Sequence, residues 1–434
     1  MARILPQDHP QRLAMTAELH ARPFSALGAP AQGLQLAFKP VDDRVRDTSA
    51  HRDHLDRLIA LYGAPPAPPD VQHYYAEVGN RRLKWERHTE YVSYTLLEDG
   101  PAGRPFAMPI ERLAPIEWLA SAPGAVISAI RLHIEPVAGH DDAIERFTNA
   151  LQHEFSAESL AAAFVGEGQA LAAGDFRIGA DGFTRFAILA TPDAGQRRLG
   201  RIVQRLIEIE NYRMLSMLAL PVARQVSTRL NEIEGDLSAL IAGIAAPGAN
   251  DRETLAKLST LSATIEALSA ETAFRFAASR AYAALVDQRI AVLLESRAAN
   301  RQTLSEFMAR RFLPAMRTCA AAEKRLADLA ERASRAARLL SARVDVVVET
   351  QNQALLESMN RRSEAQLRLQ RTVEGLSVVA ISYYAVSLAG YMAKPFAKGL
   401  GLSETTLLAL LAPPVIYAVW RFVRRIRQEL EVEE

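Results

Sequence analysis

Apolar residues change their spacing near residue 195. Before it they gather in short runs with β-branched and aromatic character, at 34–38, 74–78, 83–85, 91–97, 126–134 and 183–189, each bounded by Gly, Pro or Asp. Such runs predict strands. Between them, 53–61 and 142–151 carry the three- and four-residue spacing of amphipathic helices. The mixture predicts an α/β or α+β domain over residues 1–195. From Gln196 the period is helical, with Ile202, Leu206, Ile209, Met214 and Leu218 on one stripe. Pro221 predicts a kink or an end to that helix, a second run closes near Ile244, and Ala246-Pro247-Gly248-Ala249 predicts a turn. Asn250 with Glu253 has capping-box spacing, and the pattern Leu255, Leu258, Leu261, Ile265, Leu268 continues to about residue 298. Residues 196–313 are thus a helical middle region, with Pro314 either starting or kinking the helix that follows.

Beyond Pro314 neither proline nor glycine occurs until Gly375. As one helix, 314–374 would extend about 90 Å, a stalk. Ala322, Leu326, Leu329, Ala333, Ala336 and Leu340 form a heptad seam, which a stutter moves to Val344, Val347, Gln351 and Leu355. Two readings stand: an antiparallel helical hairpin packing on 251–298, or a coiled coil through which the chain forms a homo-oligomer.

Residues 375–393 are nineteen in a row without a charge, about 28 Å as a helix, which matches a bilayer's hydrocarbon core. After a linking loop, 394–404, a second apolar stretch runs over 405–423 with Pro413-Pro414 implying a kink, and 424–434 is a tail. The mid-span pair Tyr383-Tyr384 is expected to face protein. Arg361, Arg362, Arg368 and Arg371 precede the first span and Arg421, Arg424, Arg425 and Arg427 follow the second, against Lys394 and Lys398 between them. That bias puts both termini in the cytoplasm. The expected partner is the lipid bilayer, at a bacterial inner membrane; the competing reading is a pair of buried helices in a soluble bundle.

The composition narrows the functional classes. Lys+Arg number 51 against 50 Asp+Glu, for a net charge of +1 over 434 residues, so no global basic field argues for nucleic acid. Only six of the basic residues are Lys; this Arg and Ala richness fits a GC-rich bacterial genome. Cys319, the single cysteine, cannot form an internal disulfide and suits a reducing compartment. Residues 1–30 contain no apolar h-region, so no cleavable signal peptide is expected.

His9-Pro10, Arg12, the run Glu18-Leu19-His20-Ala21-Arg22-Pro23-Phe24, the run Tyr212-Arg213-Met214-Leu215 and the terminal hairpin resemble a bacterial family of uncharacterised membrane-anchored proteins, over nearly the whole chain. In architecture the chain is also similar to CorA-type magnesium transporters, which have a cytosolic α/β domain, a stalk helix and two C-terminal spans. Those transporters carry Gly-Met-Asn at the outer end of the first span. Here the corresponding positions are Gly390, Tyr391 and Met392, so only the glycine matches and the selectivity amide is absent. Lys394 and Lys398 would repel cations at a pore mouth.

Among candidate sites, His9, Glu18, His20 and Arg22 form the densest polar constellation. Two imidazoles and a carboxylate can ligate a divalent metal, and a guanidinium can fork onto an anion; the alternative is that Arg22 bonds carbonyls in a Pro-rich turn. His51 and His54 are one helical turn apart and read more simply as a solvated face. The glycines between 166 and 182 match no phosphate-loop pattern and read as turns around a hairpin at 175–186. No catalytic signature occurs, so nothing positive points to an enzyme. The expectation is a membrane-anchored, self-associating scaffold or sensor whose cytosolic domain binds a protein or small ligand. The alternative is a CorA-like divalent cation transporter with Ser377, Tyr384, Ser387 and Tyr391 lining its path.

Overall fold

A computed structural model describes residues 7–13, 15–16, 25–41, 48–69, 71–101, 103–244, 250–399 and 403–430. The chain divides into two compact units, Met1–Ala249 with Ala256–Ala336, and Asn250–Leu255 with Ala337–Glu434. The change of period at 195 is therefore not where the units part. The helices that follow it cover the sheet and complete the first unit.

That unit opens with β1 (Ala31–Lys39), α1 (Thr48–Tyr62), the antiparallel strands β2 (His73–Val78), β3 (Arg81–Arg87) and β4 (Val92–Asp99), and the short α2 (Ile116–Ala120). It continues with β5 (Ala125–Pro136), α3 (His140–Arg146), β6 (Ala161–Val165), β7 (Ala170–Gly174) and β8 (Thr184–Ala190). The helices α4 (Gln196–Met217), α5 (Ala219–Ile244) and α6 (Asp251–Ala291) follow, then β9 (Ser296–Arg297) and α7 (Leu304–Arg311). One nine-stranded sheet results, ordered β2-β3-β4-β1-β5-β8-β7-β6-β9. All neighbours are antiparallel except β5 and β8, which run parallel.

Side-chain alternation sends the two faces of β1, β3 and β4 to different places. Leu34, Leu36, Phe38, Leu83, Trp85, Tyr94 and Leu96 pack under Leu55, Leu58 and Ile59 of α1 and Trp118 of α2. On the opposite side of the sheet, Ile130, Leu132 and Ile134 of β5 meet Leu199, Ile202, Val203, Leu206 and Ile209 of α4, with Phe307 and Met308 of α7 beyond. Each such aliphatic side chain contributes about 1.5–3 kcal/mol when fully buried. Pro221 sits in the first turn of α5, after the chain breaks at Leu218; the first turn has no helical partner for the missing N–H, so the proline is tolerated there.

His51 and His54 do not lie on a solvated face. Both are buried, on the same stripe as Leu55 and Leu58. His54 Nε2 donates to the Trp118 carbonyl at 3.0 Å and Nδ1 accepts from Tyr94 Oη at 2.8 Å, while the ring stacks on Trp118 at 4.2 Å. With both nitrogens committed in an apolar setting, burial lowers the His54 pKa from 6.5 to about 4. The ring is neutral when folded and takes a proton near 6.5 when unfolded, so its contribution is whole above about pH 6.5 and is lost as pH falls toward 4. The loss amounts to about 3 kcal/mol. Urea midpoints measured across that window should flatten in His54→Gln, which cannot titrate; an unchanged acid slope in the variant would refute the assignment.

α8 (Leu313–Gly399) is 87 residues long. It begins at Leu313, so Pro314 starts this helix, and it passes through Gly375 without a break. The seam residues Ala322, Leu326, Leu329, Ala333 and Ala336 are buried, and Arg325 and Arg332 of α8 reach Glu234 of α5 while Arg280 of α6 reaches Glu323. The seam is therefore used inside the chain, as helix-on-helix packing. In the second unit α8 is followed by α9 (Glu404–Leu430), with Pro413 and Pro414 inside it. A window of α8 and Thr405–Arg425 of α9 are long and apolar enough to cross a membrane. A Cβ on Gly390 would stand 2.6 Å from Leu408 Cδ2, so the two apolar helices approach closely at that glycine, as small residues permit.

Candidate functional site

The α4-facing side of β3 and β4 is polar where its continuation on β5 is apolar. Lys84 pairs in register with Thr95 and Glu86 with Ser93, so these four side chains share a face, opposite to Leu83, Trp85, Tyr94 and Leu96. Between that face and α4 lies a cavity of about 370 Å³, lined also by residues 25 and 27, Tyr91, Arg289 and Val292. A neighbouring recess of about 260 Å³ shares His88, Tyr91 and Tyr212 with it and adds Arg87 and Tyr282.

Charged groups chain around the cavity. Lys84 Nζ lies 3.1 Å from Glu86 Oε1 and donates to Gln204 Oε1 at 3.3 Å. Gln204 Nε2 donates to Glu208 Oε1 at 2.8 Å, and Arg289 pairs with the other oxygen of Glu208. Arg205 donates instead to the Val292 carbonyl at 2.6 Å. Its guanidinium pKa is lowered, by burial first and then by the positive charges of Arg201 and Arg289. The Tyr91 ring stacks on His88 at 4.1 Å, and burial holds its phenol well above the usual range, so it stays a neutral hydrogen-bonding group. Asn211 is 4% exposed, and its Oδ1 has no hydrogen-bond partner among the described residues. A buried acceptor left this way costs about 1–3 kcal/mol unless something fills the space beside it.

The segment entering β1 is fastened to this site. Leu27 N donates to the Gln196 carbonyl at 3.0 Å, and Gly200 of α4 lies so close that a Cβ there would meet the Ser25 carbonyl oxygen at 1.8 Å. Gly200→Ala gains about 1 kcal/mol of helix propensity but forces backbone apart. We expect it to lower stability by about 1–3 kcal/mol net in thermal unfolding; equal stability of variant and parent would show that the 25–28 segment is not held there.

Of the candidates His9, Glu18, His20 and Arg22, His9 alone is among the described residues. His9 is exposed, and its Nδ1 accepts from Gln11 N at 3.2 Å. Glu18, His20 and Arg22 lie outside the described residues. Among the described residues no group of three His, Cys, Asp or Glu side chains is placed to hold a metal. Ser377 and Ser387 bond back to the carbonyls of Val373 and Tyr383, each at 2.9 Å. Tyr383, Tyr384, Tyr391 and Met392 are exposed in this chain, and Lys394 stands over the Tyr391 ring at 5.4 Å. Cys319 is buried, with its thiol pKa raised by burial, as a packed thiol should be. Sequence reasoning missed Lys84, Glu86, Arg205 and Asn211; the available signal was the strict alternation of charged with apolar positions along β3.

A family model described as Protein of unknown function (DUF3422) matches residues 7–430. No curated protein matches the chain. With the match running from the His9-Pro10 segment through the sheet, the cavity and both apolar helices, the chain belongs to the DUF3422 family of proteins of unknown function.

Proposed function

We propose that this protein is a membrane-anchored sensor whose N-terminal domain binds a small polar molecule in the cavity between β3, β4 and α4. The observation that carries the reading is Asn211, a lining residue of a cavity of about 370 Å³ ringed by charge, whose buried Oδ1 is unpartnered among the described residues. A space of that size suits a metabolite. Anchoring is supported by the two apolar helices, and the Arg clusters flanking them support an inner membrane with both termini in the cytoplasm. Self-association through α8 is supported by Val347, Leu355, Met359, Leu369 and Val373, which are apolar and exposed in the single chain and recur at heptad-like steps.

The reading is tested by native mass spectrometry of gently extracted full-length protein. A small molecule held stoichiometrically by an oligomer, and absent from Thr95→Tyr, in which the new ring fills the cavity, is the expected result. A parent that carries no small molecule and flies as a monomer would sink it.

A further inference from the structure

Charge bookkeeping around the cavity narrows what it takes, provided the cavity is the ligand site. Its lining holds three fixed cations, Lys84, Arg205 and Arg289, and two carboxylates, Glu86 and Glu208. Lys84 pairs with Glu86 and Arg289 with Glu208, whereas the hydrogen bond of Arg205 goes to a carbonyl, Val292 O, which satisfies a donor and leaves the guanidinium to share Glu208, already paired with Arg289. Burial first, then Arg289 and one further cation, Arg201, disfavour the charge of that guanidinium, and Glu208 favours it. The lining thus carries one net positive charge in a setting where Lys84 and Glu86 are only 10% and 13% exposed and water screens weakly. Asn211 Oδ1 adds the opposite demand, a buried acceptor without a partner among the described residues, which a water or a ligand hydroxyl or amine can satisfy.

We propose that the cavity binds a small anion bearing hydrogen-bond donors, its acidic group held at Arg205 and a hydroxyl or amine held by Asn211. A hydroxycarboxylate and a phosphorylated polyol are two sources of this chemistry. An uncharged polyol would leave the net positive charge of the lining, at Arg205, without an anion. A donor-free anion would leave Asn211 unpaired, and selectivity follows from such unpaired groups.

Calorimetry on the detergent-solubilised full-length protein distinguishes these with three probes of one carbon skeleton, glycerate, glycerol 3-phosphate and glycerol, and with acetate as a donor-free anion. One of the two anions should bind at least about tenfold more tightly than glycerol, and which one identifies the acidic group. Arg205→Gln should weaken it by about 10- to 100-fold, Arg205→Lys should restore much of the loss, and Asn211→Leu should erase the preference for glycerate over acetate. Near-ultraviolet circular dichroism matching the parent establishes that the variants are folded. Anion binding unchanged in Arg205→Gln overturns the proposal, as does no anion binding at about 10 mM, tenfold above a Kd of about 1 mM. Glycerol bound as tightly as both anions and lost in Thr95→Tyr overturns the anion assignment alone, leaving the cavity as a sensor site.

Discussion

Arg213→Ala is expected to destabilise the first unit by about 3–5 kcal/mol, a large share of the roughly 5–15 kcal/mol that holds a domain together. Arg213 and Glu210 lie one turn apart on α4. The guanidinium grips the carboxylate with two parallel bonds of 2.8 Å, Thr184 of β8 donates to the same carboxylate at 3.2 Å, and Glu210 is 1% exposed. Phe176 presents its ring to Arg213 at 5.6 Å. Removing the arginine strands a carboxylate in the core between α4 and β8, with one neutral hydroxyl to offset its lost hydration. The pair itself is a poor source of net stability, because both ions surrender water to meet. Glu210→Leu with Arg213→Met should therefore sit well above the single variant. Urea unfolding followed by the fluorescence of Trp85 and Trp118 measures both. A single variant within about 1 kcal/mol of the parent, or a double variant as weak as the single, would refute this account of the pair.

The strands that the sequence concealed show what local patterning lacks. β6 and β7 read Ala-Ala-Ala-Phe-Val and Ala-Leu-Ala-Ala-Gly. Alanine is a weak strand former, and burial on both faces removes the alternation by which a half-buried strand declares itself. What makes them strands is the neighbour: β7 pairs with β8 at Gly174↔Phe186, where a Cβ would stand 2.6 Å from the aromatic ring. β1, β3, β4 and β5 were legible because each has β-branched or aromatic residues on at least one face. The burial of His51 and His54 was legible in principle too, since they continue the stripe of Leu55 and Leu58; their polar type, with Arg52, Asp53 and Asp56 around them, argues for a solvated face where the period argues for the core. The cavity was half legible. Alternation places Lys84 and Glu86 on the face away from Trp85, but that this face looks at Asn211, Arg205 and Glu208 of α4 depends on a contact more than a hundred residues away along the chain.

Val379→Asp combined with Leu388→Asp separates a membrane anchor from a soluble hairpin. Both side chains are well exposed in this chain, 66% and 64%, so on a soluble hairpin the substitutions would touch water and change stability by no more than about 0.5 kcal/mol each. In a bilayer the same two positions face hydrocarbon within the uncharged run 375–393. A carboxylate near the centre of a span costs about 2.5–3.5 kcal/mol on insertion scales, about 5–7 for the two, which exceeds a thousandfold in partition. The parent should resist alkaline carbonate extraction from membranes and the double variant should appear in the supernatant. Lys394, beside Tyr391 at one end of the run, and Arg424, whose guanidinium lies 5.1 Å from the Trp420 ring in α9, are the interfacial pairs that would fix the depth of the hairpin. If the parent itself washes off with carbonate, or the double variant stays with the membrane, the anchor fails. The close fit of Gly390 against Leu408 would then belong to a helical hairpin in water.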